Sequence, residues 1–297
     1  MSGLIYIDDS ILQKGKPATA GSKILEGYVA PYDAEAVTRL GGETAQVRLG
    51  EFGLEPPDEL PDGTLLCNDD FGHIRILAAK RGLYTLRPTY GTVSRYGLIP
   101  TACSMDQICI VCGDLAEGFS LLEKIAGKDE KDGAMFPETN CRYDKPDAPV
   151  RLHEGALPYA ELYQSVLNIL AFAEISGNLS RYDGVKLGFR AEGYTGLDGM
   201  YIKTRSEGFG LAAKLAVLMG CLVLSKEHYD ALYDKAMRIR RLIRESLPFD
   251  RFDVLALPVD NPLPVLAGLP SLTFGSVQLA ANVKNEGVLL KAMEAVL

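Results

Sequence analysis

Arg87-Pro-Thr-Tyr-Gly91-Thr-Val-Ser-Arg-Tyr-Gly97, followed after six residues by Ser104-Met-Asp-Gln-Ile108, is the stretch on which the fold assignment rests. Residues 83–99 read as short strands around the turn Arg87-Pro-Thr-Tyr-Gly91, where proline fixes one dihedral and glycine accepts a conformation closed to other residues. Toward the C-terminus, Cys109-Ile-Val-Cys112 is an apolar run suited to a buried strand. Asp114 with Glu117 then forms a capping-box signal for a helix running through Leu121, Leu122 and Ile125 to Gly127. Toward the N-terminus, in Asn68-Asp-Asp-Phe-Gly-His-Ile-Arg75, a carboxylate-rich turn leads through Gly72 into an apolar segment. Residues 50–63 are dense in Pro, Gly and acids and read as a surface loop or a linker. Before them lie a strand-like segment, Ala45 to Leu49, and a helix that Asp33 can cap, with Ala36, Val37 and Leu40 on one face and Gly41-Gly42 as its stop.

The polar stretch 127–148 is the best candidate for a mobile excursion or subdomain boundary. Helical apolar spacing then recurs over 159–175, 210–224 and 229–246. In the last of these, Ile239 and Ile243 continue the apolar side, and Arg238, Arg240, Arg241 and Arg244 read as a solvated face in preference to a nucleic-acid contact. Asp253 to Leu257 forms a buried strand ending in Pro258, Leu272-Thr-Phe274 and Val277-Gln-Leu279 are short strands, and Asn285 caps a final helix through Leu289, Leu290 and Met293. Strands and helices alternate with no fixed-period repeat, so one α/β domain with a mixed sheet over residues 1–297 is the economical reading.

Composition bounds what such a chain does. Of 297 residues, 47% are hydrophobic and 24% charged, which excludes disorder and mini-protein scaffolds. The net charge of −8 repels nucleic acid and anionic membrane, so no direct nucleic-acid contact is expected. Asp8 and Asp9 follow too few apolar residues for a signal-peptide core, and no apolar run reaches spanning length. A soluble cytoplasmic protein with no membrane association is expected, and its six cysteines as reduced thiols.

Generic chemical motifs fail: there is no G-x-S-x-G elbow, phosphate-binding loop, H-E-x-x-H or dinucleotide fingerprint, and no cofactor is expected. Cys109 and Cys112 have metal or redox spacing, but lack a second cysteine pair, and two packed thiols fit the intervening apolar residues better. His153 in a polar loop and His228 beside Glu227 read as surface residues. His73 sits in the carboxylate-rich turn, where in isolation a hydrogen-bonded structural histidine is favoured.

The stretch quoted first resembles the amidase signature family, and within it the branch of amidotransferase A subunits. Ser22-Lys-Ile-Leu-Glu26 with Pro31-Tyr-Asp-Ala34, Asn178-Leu-Ser-Arg-Tyr-Asp-Gly184, Thr204-Arg-Ser-Glu-Gly-Phe-Gly210 and Leu266-Ala-Gly-Leu-Pro270 look like that branch's blocks in the same order, in a chain shorter than typical members. The resemblance implies an α/β/α fold with a large mixed sheet flanked by helices. It also implies amide hydrolysis or transfer by a lysine base, a bridging serine and a nucleophilic serine, with backbone N–H groups stabilising the oxyanion.

Residue by residue, that machinery is altered. The family's Lys-Asp-Asn matches Asp8-Asp9-Ser10, so an acid stands where the base is expected. The bridging serine's Gly-Gly-Ser-Ser-Gly-Gly loop falls in the interval from Glu51 to Asn68, which holds neither a serine nor a Gly-Gly pair. The nucleophile's Asp-Thr-Gly-Gly-Ser-Ile-Arg aligns on Asp69-Asp-Phe-Gly-His-Ile-Arg75, which puts His73 in the nucleophile's place, Asp70 in that of threonine and Phe71 in that of an oxyanion-loop glycine. Leu215-Ala216 replaces a double arginine, and Asn261 to Leu266 keeps none to grip an α-carboxylate.

Three readings follow. In the first, an inactive relative binds a protein partner or a small ligand in a remnant pocket, with Phe71, Gly72 and Ser104 as ligand contacts. In the second, Asp8 and His73, with Asp69, Asp70 and Asp106 nearby, form a repurposed acid–base or metal site, against the simpler alternative of a charge-compensated Asp–His pair filling vacated space. In the third, the chain is an authentic amidotransferase subunit, which the aligned residues oppose.

Overall fold

Successive residues along the strands belong to different cores, and this alternation splits the molecule into layers. The computed structural model describes residues 4–139 and 141–296. Its strands are β1 (Ile5–Asp8), β2 (Thr44–Val47), β3 (Thr64–Asn68), β4 (Tyr84–Arg87), β5 (Ile108–Cys112), β6 (Leu152–His153), β7 (Val254–Pro258), β8 (Ser271–Phe274) and β9 (Val277–Ala281). They form one 9-stranded sheet in the order β2-β1-β3-β5-β4-β8-β9-β7-β6. β1 runs parallel to β2 and β3, and β6 to β7, while the remaining pairs are antiparallel, which makes the sheet mixed as the sequence predicts.

The α-helices are α1 (Glu35–Leu40), α2 (His73–Lys80), α3 (Leu115–Ile125), α4 (Tyr163–Leu179), α5 (Gly196–Gly208), α6 (Leu211–Leu224), α7 (Lys235–Glu245), α8 (Leu263–Ala267) and α9 (Glu286–Val296). Leu66, Ile108 and Ile110 of the sheet pack with α1, α3 and α9 in one core. From the same strands, Leu65, Cys67, Cys109 and Val111 face the other way onto Ile74 and Ala78 of α2. Leu255, Leu257 and Ala280 join a third core with α4, α6, α7 and α8. Cys109 and Cys112 therefore lie in different cores, and one ion cannot bridge them. Burial pushes the Cys109 thiol up to about 11 and that of Cys112 up to about 12, consistent with packed thiols.

Several expected elements shift. Asp114 caps α3 by accepting from Glu117 N at 2.8 Å, as its spacing predicts. Ala34, not Asp33, holds the cap position of α1; the Asp33 carboxylate instead accepts from Lys14 N at 2.7 Å. The helix expected over 229–246 opens with a wide π turn, Asp230–Asp234, before α7. His153 is a half-buried strand residue whose ring packs on Phe252, not a loop residue. Arg240 departs from the solvated row: its guanidinium donates to Ser104 Oγ at 2.9 Å and Ser104 O at 3.0 Å. Within 127–148, the part from 128 to 138 is tied down by Asp129, which accepts from Ser94 Oγ at 2.7 Å, and by Asp132, paired with Arg95 at 2.6 Å. Asn140, in the same stretch, lies outside the described residues. Among the described residues, no helix is long and apolar enough to cross a membrane.

α6 crosses α4 closely because small residues face inward: Ala213, Ala216 and Gly220 are buried. A Cβ at Gly220 would stand 2.0 Å from the Phe172 carbonyl oxygen. Gly220→Ala is therefore expected to lower stability by about 1–3 kcal/mol in urea denaturation, even after the ~1 kcal/mol gain in helix propensity. An unchanged midpoint would show that the two helices separate freely.

Candidate functional site

β1 ends at Asp8, β3 runs through Asp69–Gly72 into α2, and residues 49–57 lie across both. A narrow cavity lies there, with only about 20 Å³ open to a water-sized molecule, and Asp8, Ser10, Asp69, Asp70, His73 and Thr101 stand in its wall. The segment from Leu49 to Pro57 supplies much of the rest, through Gly50, Phe52, Glu55 and Pro57.

Asp8 is 7% exposed, and its Oδ2 accepts from the Ser10 hydroxyl. Burial, reinforced by the neighbouring charge of Asp9, pushes the Asp8 carboxyl up to about 7. Asp9 turns the other way: it accepts from Thr19 N at 3.1 Å and Gly21 N at 3.2 Å, and burial raises it as well. His73 is the first residue of α2 and is half-buried. The two residues expected as a pair share one cavity, yet no hydrogen bond or ion pair among those of the described residues joins them. Nor does any group of three or more His, Cys, Asp and Glu among the described residues have an arrangement that could hold a metal ion.

The other carboxylates of the turn hold the scaffold. Asp69 Oδ1 accepts from Ile74 N at 3.0 Å, which caps the first turn of α2, and Oδ2 pairs with Arg75 Nη1 at 3.0 Å. Arg75 Nε and Nη2 donate to Val259 O at 3.0 Å and Asn261 O at 3.2 Å, tying the turn to the chain beyond β7. Gly72 adopts φ 86°, and a Cβ there would stand 2.7 Å from the Arg75 guanidinium carbon, so both its backbone and its lack of a side chain are used. Asp70 faces Arg87 at 3.5 Å and accepts from Asn68 at 3.0 Å, while Asn68 also donates to Asp106 at 3.0 Å. Burial, then the charge of Asp106, raises the Asp70 carboxyl well above the usual range. Asp106 accepts from Thr101 N at 3.1 Å and Ala102 N at 3.0 Å and lies outside the cavity wall.

The expected ligand contacts do not gather at this cavity. Phe71 turns away and stacks on Phe172 at 6.3 Å. Ser104 lies in a separate groove with Arg240, its backbone N donating to Glu174 at 2.8 Å. Sequence reasoning missed Ser10, Thr101 and Glu51. Glu51 accepts from Gly210 N at 3.0 Å and from the Ser22 hydroxyl, so this segment anchors the start of α6. The pairing of Glu51 with Gly210 spans 159 residues, and no local pattern signals it.

A mixed sheet layered by helices, with a cavity where β1 and the β3–α2 turn meet, defines a class before it defines a chemistry. The family described as Amidase matches residues 66–148 and 146–286, and the chain belongs to it. It is similar to the A subunit of the glutamyl-tRNA(Gln) amidotransferase of Lachnoclostridium phytofermentans, at 32% identity over 86% of this chain and 66% of that one. It is likewise similar to the protein of the same name in Trichodesmium erythraeum, at 31% identity over 97% of this chain and 82% of that one. Among solved structures, a vestigial protein complex bearing on the origins of an s-triazine catabolic enzyme superposes with TM-score 0.79 at 18% identity, covering 99% of this chain and 83% of that one, which shows the fold. The chain thus spans roughly two thirds to four fifths of these curated relatives.

Proposed function

We propose that this chain is a non-hydrolytic member of the amidase family that works by binding a protein partner, with the cavity beside Asp8 as a remnant of the hydrolytic site. One observation carries the reading: among the described residues the cavity has no lysine in its wall, and its single serine, Ser10, is bonded to an acid. Acyl transfer by the mechanism the resemblance implies needs a base and a serine relay ending on a nucleophilic hydroxyl. By the resemblance, Asp8 stands at the base's place and His73 at the nucleophile's, and the turn that carries His73 is held by Asp69 and Arg75. Losing one member of such a coupled unit costs orders of magnitude in rate. The relatives' designation as subunits, and a complex among the structures of like fold, support a protein partner.

The expected result is that a fluorophosphonate probe labels no serine, and that glutamine, asparagine and simple amides are hydrolysed at the buffer rate, unchanged by His73→Ala. Labelling at Ser10, or turnover lost in His73→Ala, overturns the reading. A second reading, acid–base chemistry at Asp8, is favoured by its carboxyl being pushed up to about 7, near the working pH of a general base. It requires turnover that titrates near pH 7 and disappears in Asp8→Asn, so the same assays separate the two.

A further inference from the structure

We infer that the outward face of α6 pairs with the same face of a second copy of this chain. Leu211, Leu215, Leu218 and Leu222 are 70%, 52%, 66% and 44% exposed, and Met219 beside them is 46% exposed. Their spacing of four, three and four residues makes a continuous seam along one side of the helix. Lys214 is the one charged residue in α6, and it is half-buried.

The helix is turned inside out relative to what folding of this chain alone rewards. Its small residues, Ala213, Ala216 and Gly220, face α4, and apart from buried Val223 and half-buried Val217 its large apolar residues face solvent. Isolated surface leucines need no explanation, but a contiguous apolar face of roughly 500–600 Å² reaches the largest patch a monomer ordinarily leaves uncovered. Area permits a second copy and symmetry selects it. Two such faces, fully covered, bury about 1,000–1,200 Å² together, the low end for a specific interface. The seam is symmetric about its midpoint, so antiparallel two-fold pairing sets Leu211 against Leu222 of the second copy and Leu215 against Leu218, with every contact apolar on both sides. An uncharged face also matches itself without the charge complement that a different partner brings as its specificity device.

Sedimentation velocity of the full chain over a range of concentrations tests this. A dimer is expected, with Leu215→Lys and Leu218→Glu each weakening association at least about thirtyfold. Both positions are exposed, so at a concentration where the unaltered chain is itself monomeric the thermal melts of the variants should match its own. Mixing the two variants should restore a dimer of mixed composition by native mass spectrometry, because the two-fold pairing sets the introduced lysine of one copy against the introduced glutamate of the other. A monomer at every concentration overturns the proposal, as does a dimer indifferent to both substitutions. Variants that fail to recover on mixing overturn the antiparallel pairing. None of these outcomes depends on whether the cavity hydrolyses amides.

Discussion

Arg75→Met is expected to lower the free energy of unfolding by about 3–5 kcal/mol, because it removes one partner of a buried ion pair and strands the other. Arg75 and Asp69 are 3% and 5% exposed. Without the guanidinium, the Asp69 carboxylate keeps Ile74 N but loses its counter-charge, and the carbonyls of Val259 and Asn261 lose their donors. Chemical denaturation of the variant measures the loss. The double variant Arg75→Met with Asp69→Asn should recover part of it, since asparagine still accepts from Ile74 N and carries no charge to strand. A single variant within about 0.5 kcal/mol of the unaltered protein, the range of ordinary surface substitutions, would mean that the turn is not held by this pair.

Asp8 is expected to make the protein less stable as pH rises toward neutrality. Its folded-state value of about 7 lies above the ordinary 3.8, so in that window the unfolded chain has lost a proton that the folded chain keeps. Stability then falls with rising pH from about 3.8 and levels off above about 7. Between pH 5 and 8 the fall attributable to this group amounts to about 2–3 kcal/mol. Asp9 and Asp70, also raised by burial, act in the same direction. Both remain in Asp8→Asn, so the difference between the two stability curves isolates Asp8. Urea denaturation at stepped pH should show the gap between them changing in favour of the variant as pH rises; parallel curves would sink the assignment.

The elements legible in the sequence are those whose signals are local. The α3 cap, Asp114 to Glu117, needs only three residues of spacing, and β5 is an unbroken apolar run of five residues. α2 was hidden because its start, His73, follows a glycine in the left-handed region and no side-chain cap bonds it at the N-cap position; the capping oxygen comes from Asp69, farther back along the chain. α5 has glycines at both ends and only three inward residues, Met200, Thr204 and Gly208, so its apolar pattern is faint. Asp33 illustrates the opposite failure, a good capping residue drawn off by Lys14 N, 19 residues away. At the candidate site, Asp8 and His73 were found because two blocks could be matched end to end. Glu51 and Thr101 could not be, since each gains its role from chain that is distant or folds back.

By itself the sequence determined the α/β class, the family and which residue types stand at the positions the resemblance compares with the family's lysine and serines, because residue types are read directly from it. Tertiary structure decided what those residues do. It placed Asp8 and His73 in one cavity without joining them, and made Asp69 and Arg75 a buried brace. It also decided which side of α6 meets solvent. A helix apolar on every face carries no periodicity that says which face is inner. The close crossing on α4, where Ala213, Ala216 and Gly220 sit and Gly220 leaves no space for a Cβ, sends the leucines outward for want of room.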